Sequence, residues 1–407
     1  MTRKYVTNST LLRSSRRIRL FTLVLFFFVA VTWAFKVKSH SYYTLESNIE
    51  RDFPLIHTYI HSFNGTGGAW HIPPEWADLS GEKPKHILDA ARMASERALS
   101  KRERQIPYSN IPLLVHQTWK TTAADGWTPN ILPWVELWLD HSTKAERGPP
   151  MAYFFWDDAG MRALVNEFEK DFIDRYDSIL TPVERSDVFR ILVCKHFGGI
   201  YGDLDTELIR HPATWINPSD IGTWTDPNTG RSYGNHNDSV TPDYKSPTVN
   251  LLWGLEADND PESDAYWRQS YTYPQQLSQW TFAAAPQHPV FLQYMYNLYD
   301  YTEYSETMSQ NSDPLKRTGP AAVTLATKSW LEDRVGFRWA SLTGVNDGGR
   351  SKLVDDILVL PITGFHPSHG SRNGVMGRKP MTDPDARWGS MERFAEDCLV
   401  SVEIGQE

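Results

Sequence analysis

The stretch Thr181-Pro182-Val183-Glu184 constrains the fold more than any other part of this chain, because it opens a helix whose end and successor are both legible. The threonine hydroxyl can accept from the backbone N–H of Glu184, and proline presets φ for the first helical position. The helix runs through Ser186-Asp-Val-Phe-Arg-Ile-Leu-Val-Cys-Lys-His-Phe197 and stops at Gly198-Gly199, where glycine takes positive φ without strain. A strand, Ile200-Tyr-Gly-Asp-Leu-Asp205, follows at once. Upstream, Leu113–His116 reads as a buried strand. Pro129–His141 reads as a helix with Ile131, Leu132, Val135 and Leu139 on one side, and Met151–Trp156 as a second strand. Strand, helix, strand at this spacing is a βαβ unit and predicts a parallel sheet. Later segments alternate less clearly: 249–256, 277–284, a helix over 288–304, another over 319–330, and a strand over 357–360.

The 407 residues carry 41 Lys+Arg against 50 Asp+Glu, a net charge of −9. Eight of the basic residues and no acidic one fall in residues 1–40, so the remaining 367 carry 33 against 50, a net −17. An acidic body excludes sequence-independent nucleic-acid binding, which needs a basic face. Sixteen uncharged residues, Leu20–Phe35, form the apolar core of a span over 18–35. That is short for a plasma membrane and adequate for a thinner early secretory one. Six basic residues precede it and two follow. By the positive-inside rule residues 1–17 stay cytosolic and the rest is lumenal. Ala30-Val31-Thr32 is a poor small-x-small cleavage site, so an uncleaved signal anchor is expected rather than a removed signal peptide. Residues 36–105 read as a lumenal stem with one helical stretch near 84–104, and 106–407 as the catalytic domain. Asn64 and Asn237 head glycosylation sequons that a lumenal location would make usable. Cys194 and Cys398 are too few for a disulfide scaffold and allow one disulfide or none.

Asp203 and Asp205 lie two apart, so on an extended strand both carboxylates would point to one face. Such a pair is a hard-oxygen site suited to Mn²⁺ or Mg²⁺, completed by water and phosphate oxygens. An ion there would neutralise a diphosphate and make it a better leaving group. Asp187 and Arg190, at i and i+3 on the preceding helix, share a face and can hold sugar hydroxyls or phosphate, or form a local ion pair. Trp119 follows the first strand, where open α/β sheets place ligands, and can stack on a base.

Together Ile111-Pro112, Leu-Val-His116-Gln-Thr-Trp-Lys120, Trp156-Asp-Asp158, Arg185-Ser-Asp-Val-Phe-Arg190 and Phe197-Gly-Gly-Ile-Tyr-Gly-Asp-Leu-Asp205 resemble glycosyltransferase family 32. Gln279-Trp280, His288-Pro289, Thr318-Gly319-Pro320 and Val359-Leu-Pro-Ile362 are similar to its fungal Golgi initiation-specific α-1,6-mannosyltransferase subgroup. The resemblance covers roughly residues 106–365. It implies a GT-A-type, Rossmann-like mixed sheet flanked by helices, a GDP-mannose donor, a glycan acceptor, and Mn²⁺ held by Asp203 and Asp205. It also implies sugar contacts from Asp187 and Arg190, Tyr201 near the nucleotide, and transfer with retention of the α configuration. Relatives close with a His-containing segment ending Gly-Ser-Trp; here His366, His369 and Trp388 are the candidates for that closing role.

Three other readings compete. A sphingolipid mannosyltransferase would carry extra spans near its C-terminus, and no stretch after Phe35 approaches the roughly 20 apolar residues of a span. A non-catalytic subunit of a mannan-synthesising complex is favoured by the altered C-terminus and opposed by the intact Asp203 and Asp205. A hydrolase needs an acid and a base flanking the bond, whereas same-face carboxylates project from one side.

Overall fold

The computed structural model describes residues 48–76, 83–234, 249–263, 265–303, 313–345, 349–365 and 400–402. Among the described residues, 48–52 belong to a separate unit, and the compact body runs from Phe53. The span over 18–35, Asn237, His366, His369, Trp388 and Cys398 lie outside the described residues. Among the described residues no helix is long and apolar enough to cross a membrane.

The body is built on strands β1 (Gly68–His71), β2 (Leu114–Thr118), β3 (Ala152–Trp156), β4 (Gly199–Gly202), β5 (Thr206–Leu208), β6 (Trp224–Thr225), β7 (Ser232–Tyr233), β8 (Leu251–Asp258), β9 (Gln275–Leu277), β10 (Thr281–Ala284), β11 (Lys352–Val354) and β12 (Ile357–Leu360). The principal helices are α1 (Ile87–Leu99), α2 (Leu132–Thr143), α3 (Asp158–Phe168), α4 (Pro182–Phe197), α5 (Pro289–Glu303) and α6 (Pro320–Val335). The main sheet has the order β1-β3-β2-β4-β10-β8-β12-β11, with β9 added to β8. Neighbours β3, β2 and β4 pair in parallel, as do β8 and β12, whereas β10 runs antiparallel between β4 and β8. The βαβ unit is thus parallel as its spacing predicts, and the sheet as a whole is the mixed one that the resemblance implies. Five strands still point their carboxyl ends at one edge, and Trp119, Asp157, Asp203 and Asp258 emerge there.

Strands β2 and β3 are buried at every position, which is why they read as continuous apolar runs. Helix α4 is likewise buried nearly all round, and it starts at Pro182 and stops at Phe197 as its caps dictate. The segment 277–284, left without a type by its pattern, resolves into the end of β9 and the whole of β10 around a turn at Ser278–Trp280. The stem assignment for 36–105 fails from Phe53 onward: β1 pairs antiparallel with β3, and α1 buries Ile87, Ala90, Ala91, Ala94 and Ala98. A Cβ on Gly68 (φ +135°) would stand 2.1 Å from the Phe155 carbonyl, and one on Gly160 would stand 1.9 Å from that of Gly67. Bare glycines are thus needed where β1 seats against β3 and α3. Ser95 of α1 also donates its hydroxyl to the Phe197 carbonyl (2.7 Å), satisfying the end of α4.

A chain starting at Ile106 should consequently fail to fold, because it uncovers the edge of β3 and one face of the core. A soluble 106–407 fragment with a cooperative thermal transition would contradict this.

Candidate active site

The site is assembled where α4 meets the ends of β4 and β2 and the start of β10. Because α4 turns directly into β4 through Gly198 (φ +67°) and Gly199 (φ +103°), the helix runs back along the strand. Its N-terminal half therefore lies at the carboxyl edge of the sheet. The buried polar residues of that half, Glu184, Asp187 and Arg190, recur every third position and share a face.

Arg190 is the hub, with a side chain 9% exposed. Its Nη2 lies 3.2 Å from Asp187 Oδ1 and 3.2 Å from Asp203 Oδ1, and its Nη1 donates to Asp203 Oδ2 (3.3 Å) and to the Gln279 carbonyl (3.2 Å). The guanidinium stands 5.0 Å over the Tyr201 ring, and the Tyr201 hydroxyl donates to Asp203 Oδ1 at 2.7 Å. Burial works against the Arg190 cation, but Asp203, Tyr201 and Asp187 outweigh it and hold its pKa above the ordinary value. Its Nε is buried with no hydrogen-bond partner, one unspent donor in the cluster.

Asp187 also accepts from the Thr318 hydroxyl (2.9 Å), and Gln279 Nε2 donates to the carbonyls of both Asp187 and Thr318 (3.1 and 3.0 Å). Burial lifts the Asp187 carboxyl to about 6 against the pull of Arg190 and Thr318. Glu184 closes the chain of contacts by pairing with Arg317.

The structure corrects the placement of the two aspartates. β4 ends at Gly202, and Asp203–Asp205 form a turn rather than an extended run, because both the backbone N–H and the hydroxyl of Thr206 donate back to the Asp203 carbonyl (3.1 and 2.5 Å). Asp203 keeps one ladder bond, from its N–H to Trp280 O (2.9 Å), and its side chain is 26% exposed. Asp205 stands on the outer side of the turn and is exposed. Burial raises the carboxyl of Asp203, opposed by Arg190 and Tyr201. Burial and then the negative Asp203 lift that of Asp205 to about 6. Three carboxylates against one guanidinium leave an excess of negative charge at the turn, which a divalent cation would relieve. No group of three His, Cys, Asp or Glu side chains suited to a metal occurs among the described residues. An ion held by Asp203 and Asp205 would take its remaining ligands from water and phosphate oxygens, as Mg²⁺-type sites do.

Trp119 continues from β2 with its N–H on Trp156 O (3.0 Å), and its indole N–H is buried without a partner. It shares the edge with Asp203 through the parallel β2–β4 pairing, His116 against Tyr201. Asn64 is exposed in the loop before β1.

Several residues that hold the site had no role in the sequence reading. Gln117 Nε2 donates to the Asp203 carbonyl (3.3 Å), and Tyr153 fixes that amide through a 2.6 Å bond from its hydroxyl. Thr318 and Gln279 fall in segments noted for resemblance, which was the available signal. His116 is fully buried: Nδ1 accepts from Trp156 Nε1 (3.3 Å), so Nε2 carries the proton and donates to Gly198 O (3.0 Å). Burial depresses this ring to about 4. The unfolded ring, near 6.5, binds more protons between those values, so His116 withdraws stability as pH falls through that window. The stability penalty of His116→Gln should therefore shrink by about 2 kcal/mol between pH 7 and 4.5. A penalty that stays constant in urea unfolding across that range would refute it.

Residues 136–221 match the family model described as glycosyltransferase sugar-binding region containing DXD motif. The initiation-specific alpha-1,6-mannosyltransferase of Schizosaccharomyces pombe is 29% identical over 296 residues, covering 70% of this chain and 63% of that protein. The protein of the same name from Candida albicans is 24% identical over 312 residues, covering 69% and 72%. Inositol phosphoceramide mannosyltransferase 3 of S. pombe is 34% identical over 121 residues, covering 27% and 31%. The matched segment contains α4, β4 and the turn after it, hence Asp187, Arg190, Tyr201, Asp203 and Asp205, so the assembled network lies within the part of the chain that is similar to the sugar-binding region of DXD-motif glycosyltransferases.

Proposed function

We propose that this protein transfers mannose from GDP-mannose to a mannose-containing N-glycan, forming an α-1,6 linkage with retention, on a GT-A-type sheet that works in the Golgi lumen behind a type II anchor at residues 18–35. The observation that carries the reading is the Arg190-centred network that fixes Asp203 beside an exposed Asp205 at the carboxyl edge of the sheet. Relatives of two different names both match this chain, and what those names share is mannosyl transfer, which supports a mannosyl donor. The longer alignments are with the α-1,6-mannosyltransferases rather than with the inositol phosphoceramide enzyme, which supports the α-1,6 linkage. An assembled network also argues against a non-catalytic subunit.

Asp203 and Asp205 would hold Mn²⁺ or Mg²⁺, which when bound neutralises the donor diphosphate and improves it as a leaving group. Arg190 orients Asp203 and offers its unspent Nε–H to a donor oxygen. Asp187 presents the sugar side of the cleft, and Trp119 offers a ring to the base. Asp187 is dehydrated and engaged on both oxygens, which makes it a poor nucleophile. Retention then fits a front-face displacement: the acceptor oxygen bonds to the anomeric carbon as the bond to phosphate breaks, and the acceptor proton passes to the departing phosphate oxygen.

A donor screen tests this. The purified protein should turn over GDP-mannose in preference to other nucleotide sugars, only with Mn²⁺ or Mg²⁺, and pass the sugar to an α-mannoside. Preference for a uridine-linked donor, or full activity in chelator, would overturn the donor and metal assignments.

A further inference from the structure

A second concave site lies on the same edge of the sheet. It is a cavity of about 260 Å³ bounded by the β6–β7 hairpin, the segment after β8 and the Trp339–Leu342 turn. That approaches the roughly 300–1,000 Å³ of small-molecule sites and suits a single sugar ring. Its floor is fixed by a buried carboxylate. Asp226 accepts a two-pronged bond from Arg338 (Nε 3.1 Å, Nη2 2.7 Å), and further bonds from the Ser341 hydroxyl (2.8 Å), the Thr229 hydroxyl (2.8 Å) and the Asn228 N–H (3.0 Å). These donors hold the Asp226 carboxyl well below the usual range, so the staple stays ionised. Lys352 is buried beside it, giving its ammonium to the carbonyls of Ser341 (2.8 Å) and Thr343 (2.6 Å) 5.4 Å from the Trp224 ring. The wall is therefore rigid before any ligand arrives, which lowers the cost of binding one.

The lining also holds exposed charges that the floor has not consumed, Arg350, Asp260 and Glu262, together with Pro227 and Pro261. A phosphate would meet two carboxylates here. A polyol hydroxyl both donates and accepts, and matches a lining of mixed sign that includes apolar prolines. The location supplies the rest. β4 and β8 point the same way with only β10 between them; the register sets Gly202 level with Thr281 and Thr281 level with Gly254, so Asp258 at the end of β8 stands two ladder steps across, about 10 Å, and four residues further along, about 13 Å.

We infer that this cavity is a second carbohydrate subsite, which takes an inner sugar of the same oligosaccharide whose terminal sugar reacts beside Asp203 and Asp205. The inference rests on the reading of the acceptor as a glycan.

The test uses the full chain with Arg350→Ala and Glu262→Ala, both at exposed positions. An α-linked mannose disaccharide and a branched high-mannose oligosaccharide serve as probes. Each variant should raise KM for the long acceptor about 10-fold, the loss expected for one hydrogen bond to a charged group, and move kcat and the disaccharide KM less than twofold. Titration calorimetry without donor should show the same weakening for the long probe. Equal shifts with both acceptors, no shift with either, or a cavity that takes inorganic phosphate and not the oligosaccharide would overturn the subsite. A wild-type protein that binds the long probe through Arg350 and Glu262 yet transfers no mannose would sink the proposed activity and leave the subsite standing.

Discussion

Replacing Asp205 with Asn is expected to lower metal-dependent mannosyl transfer by at least about 100-fold while leaving the unfolding temperature unchanged or higher. The size follows from the several kcal/mol a bound ion contributes to a leaving diphosphate, at tenfold per 1.4 kcal/mol. The unchanged stability follows from geometry. Asp205 stands on the outer side of the turn, and partial dehydration and then the negative Asp203 raise its carboxyl to about 6 rather than stabilise its charge. A folded-state pKa above the unfolded 3.9 means that ionisation at neutral pH costs the fold, so a neutral amide removes repulsion from Asp203. Asp203→Asn behaves differently, because Asp203 takes the Tyr201 hydroxyl and both Nη atoms of Arg190. It should lose activity and stability together. Initial rates against Mn²⁺ concentration, read beside thermal melts, separate the two positions. Metal-dependent turnover within tenfold of wild type in the Asp205 variant would refute its role.

That difference between the two aspartates could not be read from the sequence, although much around them could. The limits of α4 and its direct passage into a strand were dictated by Thr181, Pro182 and the glycine pair, each a local backbone requirement. The strands β2, β3 and β12 announced themselves as short apolar runs. What local pattern could not supply was anything set by distant pairing. β1 is only four residues long and sits among polar ones, so its place beside β3 depends on glycines whose meaning appears only when Phe155 and Gly67 are opposite them. The break between β9 and β10, and the turn that carries Asp203 and Asp205, are likewise set by hydrogen bonds to Gly254, Trp280 and Thr206 rather than by propensity. At the site, i, i+3 spacing placed Asp187 and Arg190 on one face, but their partners Thr318 and Gln279 come from segments 131 and 89 residues further on.

Arg190 tests whether that long-range network, rather than the aspartates alone, makes the site. Removing one member of a buried ion cluster leaves the others dehydrated and uncompensated, at a cost of about 3–5 kcal/mol. Arg190→Ala should therefore be among the most destabilising single changes in the chain, and it should raise the carboxyls of Asp187 and Asp203 further and abolish transfer. Arg190→Lys keeps the charge but cannot form the fork to Asp203 while also reaching Asp187 and Gln279 O. It should recover much of the stability in urea unfolding and little of the transfer rate, because Asp203 then lacks a fixed orientation. Coupling supplies the sharper measurement. Once Asp203 is Asn, its buried charge no longer needs Arg190, so Arg190→Ala should cost at least about 1 kcal/mol less in that background than in the wild type. Additive losses would mean that Arg190 contributes packing alone, and a lysine variant with wild-type turnover would mean that the position of Asp203 is set by the turn and Tyr201 without help from the guanidinium.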